Sequence, residues 1–456
     1  MIAFPRRVAR RFRAACAKCV AGRPRGPAPS VVIRQSKNRV TLTATFPEVI
    51  LELACGTPES ETEVLVVPMA VLDEIGSAAP ELVQLEGTGT LKCTARWTEK
   101  GTPRTHAAEL ILPGKQHDPL TRPQELKLVP ARFLDALHEA GRTASREDGR
   151  FALSRVQVRG AKGQVIATDG KVAVVFGGFT FTFAEDVLVP SLPLFGSPEV
   201  RDDAEVRVGR TPKHLVVNAG NWTAWLTVAP GGKFPDVAGV IPRHAPTSVA
   251  LDRGDAAGLL PQLPGLPGQG HEHRPVTLDA RAGGALAIRG REDATGGEKE
   301  VVLARSPVTG PTAQVVLDRR TLARMLALGC TELRLTPGKA LVGVGEDVTV
   351  LAAPLDPELG AGARTAEVPP INSHPNPERS TAMKPHDTNG HTPNGRHDPP
   401  PETADSLTAA EELRAALVDA AAKAGRLVAA LKAGRKEKKA LVNLYTSLKQ
   451  LNLDQP

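Results

Sequence analysis

The chain has 456 residues, room for about three domains of ordinary size, and is rich in Gly (42) and Pro (40) with only 3% aromatic residues. Such a balance suits short strands, turns and small amphipathic helices packed through Val, Leu and Ala, and no apolar run approaches the ~20 residues that a membrane-spanning helix needs. The formal charge of +7 is local: residues 1–25 hold eight of the 57 Lys and Arg and none of the 50 Asp and Glu, which leaves the remainder at −1.

The chain opens with IAFPRRVARRFRAACAKCV, a short apolar strand, Pro5 and then a helix. Val8, Phe12, Ala15, Cys16 and Cys19 fall on one inward stripe, and arginines occupy the rest. A focused cationic face attracts phosphate backbones without reading sequence. An Arg-rich, acid-free start also has the form of an organelle-targeting peptide, but removing it deletes the first of six related units. Cys16-Ala-Lys-Cys19 is a CxxC without a second pair to complete a zinc site, so it reads as two small apolar residues one helical turn apart. With Cys55, Cys93 and Cys330 the cysteines number five, an odd and irregular set that argues against a disulfide framework and fits a reducing compartment.

The strand–proline–helix opening recurs along the chain. VLVVPMAVLDEI repeats it at Pro68, LKLVPARFLDAL at Pro130 and VLVPSLPLF at Pro190, while SVALDRGDAAGLL and QVVLDRRTLARML put Asp252 and Asp318 in place of proline. The six anchors lie 63, 62, 60, 62 and 66 residues apart. Proline is tolerated in the first turn of a helix and aspartate caps the same place. Alternating segments such as VRVGRTPKHLVVNAG, NWTAWLTVAP and ELRLTPGKALVGVGEDVTVLAAP follow the helices and read as strands. The unit is therefore a strand, a short helix and about three more strands. Six units taken in pairs predict an α+β fold of three similar domains, near 1–116, 117–245 and 246–357, each with two helices packed on antiparallel sheets.

In the middle pair, GQVIATDGKVAVVFGG (residues 163–178) sets Thr168-Asp169-Gly170-Lys171 between two apolar strands. A phosphate-loop reading fails, because the first glycine and the following Ser/Thr of GxxxxGK[ST] are absent. A plain tight turn and a turn beside a binding groove both remain. In the third pair, His271-Glu272-His273 lies in a Gly/Pro-rich loop with no third ligand at recognisable spacing, so no metal is expected. No nucleophile–base constellation emerges, and neither a catalytic residue nor a cofactor is expected.

Beyond 357 the composition changes. Residues 358–405 are polar and Pro-rich and predict a disordered linker. Residues 406–453 predict a coiled-coil-like helix, with a capping box at Thr408-Ala-Ala-Glu411 and a stripe through Leu413, Leu417, Ala420, Ala424, Leu427 and Leu431.

Three tandem duplicated α+β domains with these signatures resemble the bacterial DNA sliding clamp, the β subunit of DNA polymerase III. The resemblance spans residues 1 to about 357. It is most specific in ASREDGRFALSRVQV (144–158), VIATDGKVA and GGKFPDVAGVIP (231–242), with RVTLTATFPEV similar to the equivalent strand of the first domain. It implies a non-catalytic, cytoplasmic homodimeric ring around double-stranded DNA, bound without sequence preference. It also implies a groove that takes short peptides from DNA polymerase and the clamp loader. Carried over, the groove candidates are Leu153, Thr168, Gly170, Lys171, Val172, Ala173, Pro242, Pro354 and Leu355. The family commonly has His-Arg-Leu after Asp-Gly and a Met-Pro-Met ending, where this chain has Lys171-Val172-Ala173 and Ala353-Pro354-Leu355. DNA-contact candidates are Arg6, Arg7, Arg10, Arg11, Arg13 and Lys18 in the first helix, with Arg132, Arg253, Arg319, Arg320 and Arg324 from other copies. The terminal Gln450-Leu451-Asn452-Leu453 is similar to the Gln-Leu-x-Leu-Phe peptide of clamp partners, which raises self-binding as an expectation. Two alternatives stand beside the replicative clamp: a divergent paralogue serving as a binding platform outside replication, and a DNA-processing enzyme on the same scaffold.

Overall fold

The computed structural model describes residues 1–361 apart from 21–25, 89–90, 115–116, 148–151, 202–204, 243 and 293–296. The expected C-terminal helix, nearly all of the expected linker and Gln450–Leu453 lie outside the described residues.

The anchors found in the sequence start the helices. Pro5 and Pro68 occupy the N-cap positions of α1 (Arg6–Cys16) and α2 (Met69–Ile75), and Pro130 lies one residue ahead of the N-cap of α3 (Arg132–Thr143). The fourth copy departs from the pattern. After Pro190 the chain makes a 3₁₀ turn, Pro193–Gly196, and then only four helical residues, α4 (Pro198–Arg201). Pro193 and Pro198 remove the backbone N–H groups that a continuous helix needs, so this copy holds two fragments instead of one helix. A short α5 (Val237–Val240) lies outside the repeat and is capped by Asp236. Asp252 and Asp318 cap α6 (Arg253–Leu259) and α7 (Arg319–Ala327), their carboxylates accepting from the backbone N–H of Asp255 and Arg320.

The strands follow from alternation. The first two copies supply β1 (Ile2–Pro5), β2 (Ser30–Thr45), β3 (Val49–Pro68), β4 (Leu82–Gly87), β5 (Lys92–Glu99) and β6 (Thr102–Glu109). The next two supply β7 (Lys127–Val129), β8 (Arg155–Arg159), β9 (Gln164–Thr168), β10 (Val172–Phe176), β11 (Asp186–Pro190), β12 (Val206–Arg210), β13 (His214–Ala219) and β14 (Trp222–Thr227). The last two supply β15 (Thr247–Ala250), β16 (Pro275–Ala280), β17 (Ala285–Arg291), β18 (Glu298–Thr309), β19 (Ala313–Asp318), β20 (Glu332–Leu335), β21 (Leu341–Val344) and β22 (Val348–Ala352).

Their pairing obeys two rules. The strand that opens each copy is paired with the strand after the helix of its neighbouring copy. This gives β1–β4, the end of β3 with the start of β2, β7–β12, β11–β8, β15–β20 and β19–β16, all antiparallel. The strand that closes a copy pairs with the closing strand of a copy further away. So β14 meets β3 with Trp222 opposite Leu53, and β10 meets β22 with Val172 opposite Ala352. Two closing strands remain. β6 ends its four-stranded sheet, and residues 298–303 of β18 pair with β17 alone.

Most of the core is one contiguous apolar cluster between the helices and the sheets. Val8, Phe12, Ala15 and Cys16 of α1 and Cys19 just after it are all buried, and the Phe12 ring lies parallel to Trp222 of β14 at 6.2 Å between centroids. On α3, Phe133 meets Phe179 and Phe181 edge-on at 5.2 and 5.7 Å. Each such side chain contributes about 1.5–3 kcal/mol of burial. The described residues run past the point where the sequence places the linker. Pro357–Leu359 forms a 3₁₀ turn, and the Ala361 N–H donates to Thr277 Oγ1.

Candidate functional site

Between β9 and β10 the chain turns through Asp169, Gly170 and Lys171. Gly170 has φ +91°, a left-handed conformation that glycine adopts at no steric cost. The turn satisfies its own amides. Thr168 Oγ1 accepts from the Gly170 N–H at 3.0 Å and donates to the Val172 carbonyl at 2.8 Å. Asp169 Oδ1 accepts from the N–H groups of Lys171 and Val172 at 2.8 and 2.7 Å. Amides held this way are not available to cradle a phosphate, the physical counterpart of the missing glycine-rich approach.

Beside the turn lies a cavity of about 190 Å³. Thr168, Gly170, Lys171, Val172 and Ala173 form one wall; Pro235, Asp236, Val237 and Val240 form a second; Ala340, Leu351 and Ala353 complete it. Ile166, Ala173, Val175, Val237 and Leu351 make a small apolar cluster behind it, with Phe234 and Ile241 packed alongside. Val240 is 64% exposed at the mouth, and Lys171 is exposed on the turn. The hollow is therefore apolar, with its nearby backbone donors already used. It suits one or two aliphatic side chains held by burial, fixed by a few polar groups at the rim.

Five of the nine groove residues expected from the sequence line this cavity. Leu153, Pro242, Pro354 and Leu355 do not. The Leu153 carbonyl accepts from Ser145, and Pro242 is half-buried after α5. The Leu355 N–H donates to the Val316 carbonyl, which ties the chain after Ala353 onto β19. Leu351 was legible only through pairing, since it stands opposite Ala173 in the β10–β22 ladder. Val237 and Pro235 lie in the quoted GGKFPDVAGVIP stretch. Ala340 precedes β21 and carries no sequence signal.

The cationic candidates divide sharply. Arg7, Arg10 and Lys18 are exposed on α1 and the turn after it. Arg11 is half-buried and donates to the Glu199 carbonyl at 2.9 Å, and Arg13 pairs with Asp73 at 2.9 Å. Arg6 corrects the expectation of a DNA contact. It is 4% exposed, donates through Nε to the Ile75 carbonyl at 2.9 Å and lies over the Trp97 ring at 5.1 Å.

Four of the other candidates are likewise occupied. Arg319 is buried and donates to the carbonyls of Arg274, Leu263 and Leu266 at 3.0, 3.2 and 2.6 Å; burial pulls its pKa below the ordinary arginine value. Arg132 donates to Gly177, pairs with Asp347 at 3.0 Å and covers the Phe179 ring. Arg324 on α7 pairs with Glu139 on α3 at 3.0 Å, and burial lowers its pKa although Glu139 opposes the shift. Arg320 is held by Asp318, its own helix cap. Of the candidates outside α1, Arg253 is exposed and has no ion pair among the described residues.

His271 and His273 have ring centroids 5.7 Å apart, and His271 Nδ1 accepts from the His273 N–H. Among the described residues no three His, Cys, Asp or Glu side chains gather as a metal-ion site. Among the described residues, too, no helix is long and apolar enough to cross a membrane.

The sequence matches no protein-family model and no curated protein. Solved structures match it well. The DNA polymerase III subunit beta of Pseudomonas aeruginosa aligns with TM-score 0.62 at 17% identity, over 78% of this chain and 99% of that one. The sliding clamp of the same organism bound to griselimycin gives 0.64 at 16% identity, over the same shares. The DNA polymerase III subunit beta of Borrelia burgdorferi, in complex with a natural product, gives 0.61 at 11%, over 76% and 97%. At these identities the likeness shows the fold: the chain has the architecture of the bacterial DNA sliding clamps, with a C-terminal region left unmatched.

Proposed function

We propose that this chain is a DNA sliding clamp: a homodimeric, non-catalytic, cytoplasmic ring around duplex DNA that holds a DNA polymerase and a clamp loader through short peptides. Its three tandem domains would divide near residues 116 and 245. The observation that carries the reading is the strand-pairing rule. Closing strands meet in pairs, β14 with β3 and β10 with β22, and the two left over are β6 and the start of β18. A second copy placed head to tail pairs β6 of each protomer with β18 of the other, extends both sheets and removes the exposed edges. The apolar groove beside Gly170 supports the peptide-tethering part, since an extended segment reaches it with one or two aliphatic anchors.

The mass of the full chain in solution, together with its retention on nicked circular and linearised DNA, tests the proposal. A dimer that stays on circles and leaves linear ends is expected. A monomer, or equal retention on both forms, overturns it. Lys100 and Gly101 form a two-residue hairpin turn with positive φ, so Glu99 and Thr102 close it. From Thr102 every second residue, Arg104, His106 and Ala108, faces its N–H to β5, so Thr105 and Ala107 between them aim theirs away from it. Ala107→Pro should therefore shift the protein toward monomer.

The departures at Lys171-Val172-Ala173 and Ala353-Pro354-Leu355 favour a second reading, a clamp paralogue that serves as a platform for other partners. Failure of replicative-polymerase peptides to compete for the groove would support it.

A further inference from the structure

The copies share one backbone plan but not one charge plan. The fourth copy has no helix of full length, and the second, α2, carries Asp73 and Glu74 and no base. In the third and sixth, Arg132, Arg319 and Arg324 are tied into the fold, Arg320 is exposed but held by Asp318, and Arg142 pairs with Glu139 at 2.9 Å; the fifth, α6, leaves one exposed cation, Arg253. α1 differs. At 100° per residue, Arg7, Arg10, Arg11, Ala14 and Lys18 share one face about 100° wide, opposite the buried stripe. From Arg7 to Lys18 this face runs about 16 Å along the axis. Acids reach only its margins: Asp73 holds Arg13 on the flank, and Glu199 lies beside Arg11 and Lys18, both of which help to lower its pKa after the larger effect of Ser197. Arg7 and Arg10 have no ion pair among the described residues and are exposed.

We propose that phosphate contact is concentrated on this one face of α1, with Arg7 and Arg10 as its exposed cations without an ion pair, and is not spread over the helices of all six copies. The inference rests on the DNA-encircling reading above and adds where the contact lies. Its ligand is the backbone of double-stranded DNA. None of the large apolar side chains exposed among the described residues is aromatic, so these residues offer no exposed aromatic platform for the unstacked bases of a single strand. Contacts made to phosphate oxygens carry no base-edge readout, hence binding that is indifferent to sequence.

The test measures binding of the full-length protein to a short mixed-sequence duplex across a salt series. Each phosphate contact adds about −0.9 to the slope of log K against log salt. Arg7→Ala/Arg10→Ala should flatten that slope by about two for each engaged α1 face, and Arg7→Lys/Arg10→Lys should restore most of it, which separates charge from folding. Arg142→Ala/Arg253→Ala, on α3 and α6, should leave it nearly unchanged. A slope that survives the α1 substitutions, or falls as far with the α3/α6 pair, overturns the proposal; so does an equal or tighter affinity for a single strand of the same length. Solution mass on the same samples keeps the two readings apart. A monomer whose slope depends on Arg7 and Arg10 rejects the ring and retains the α1 contact.

Discussion

Two glycines with positive φ, seven residues apart, respond differently to the same substitution. Gly163 (φ +61°) and Gly170 (φ +91°) both sit in turns beside β9. A Cβ at Gly170 meets nothing within 4 Å, whereas one at Gly163 falls 1.9 Å from the Phe179 carbonyl oxygen. Gly170→Ala therefore incurs only the left-handed backbone term, about 1–2 kcal/mol, less the ~0.4–1 kcal/mol gained by restricting the unfolded chain. A net loss near 1 kcal/mol follows. Gly163→Ala carries the same term and must also push a backbone carbonyl aside. That carbonyl belongs to the residue whose N–H donates to the Gly163 carbonyl at 3.1 Å. Overpacking of this kind adds about 1–3 kcal/mol, so the total should reach roughly 2–4 kcal/mol. Urea denaturation of the full chain, read as midpoint at unchanged m-value, gives both numbers. Equal losses for the two variants, or a loss below about 1.5 kcal/mol at Gly163, would refute the reasoning from space and dihedral angle. The fold should survive Gly170→Ala, leaving the groove turn open to substitution as a reporter position.

Two further outcomes are expected. Arg324→Ala should destabilise the α3–α7 contact by about 1.5–3 kcal/mol, since it removes charge-assisted bonds to Glu139; a double cycle with Glu139→Ala should show coupling of at least ~0.5 kcal/mol, and additivity would dismiss the pair. Stability should also fall at both ends of the pH range. Burial raises Cys19 and Cys330 from 9.0 to about 12, so the stability they lend is whole below pH 9.0 and is lost as pH climbs toward 12; burial lowers His138 and His214 from 6.5, so theirs is present above 6.5 and is lost as pH falls. Urea midpoints across pH check both limbs, and a flat alkaline limb would contradict the buried thiols.

Much of the fold was readable because its signals are local. Pro5, Pro68, Asp252 and Asp318 mark helix starts through chemistry within one turn, and the alternation after them marks strands. The copy at Pro190 misled because proline both announces a helix and, when repeated at 193 and 198, prevents one. The groove turn was legible from Thr168 to Ala173, but Ala340 reaches the cavity through a hairpin far along the chain. Charge was the least legible property. Arg6 and Arg7 are adjacent and chemically identical. Only the fold, by bringing the Ile75 carbonyl and Trp97 against the first, makes one a structural tie and leaves the other exposed. Sequence counts cations but not their long-range partners.

The exchange of opening strands between neighbouring copies limits how such a chain can grow or shrink. Because β1 completes the sheet of the second copy and the end of β3 completes that of the first, deleting either copy orphans a strand in the survivor. A cut within a couple is therefore expected to destabilise a fragment more than a cut between couples, which breaks, of the strand pairings, only the β14–β3 or β10–β22 ladder.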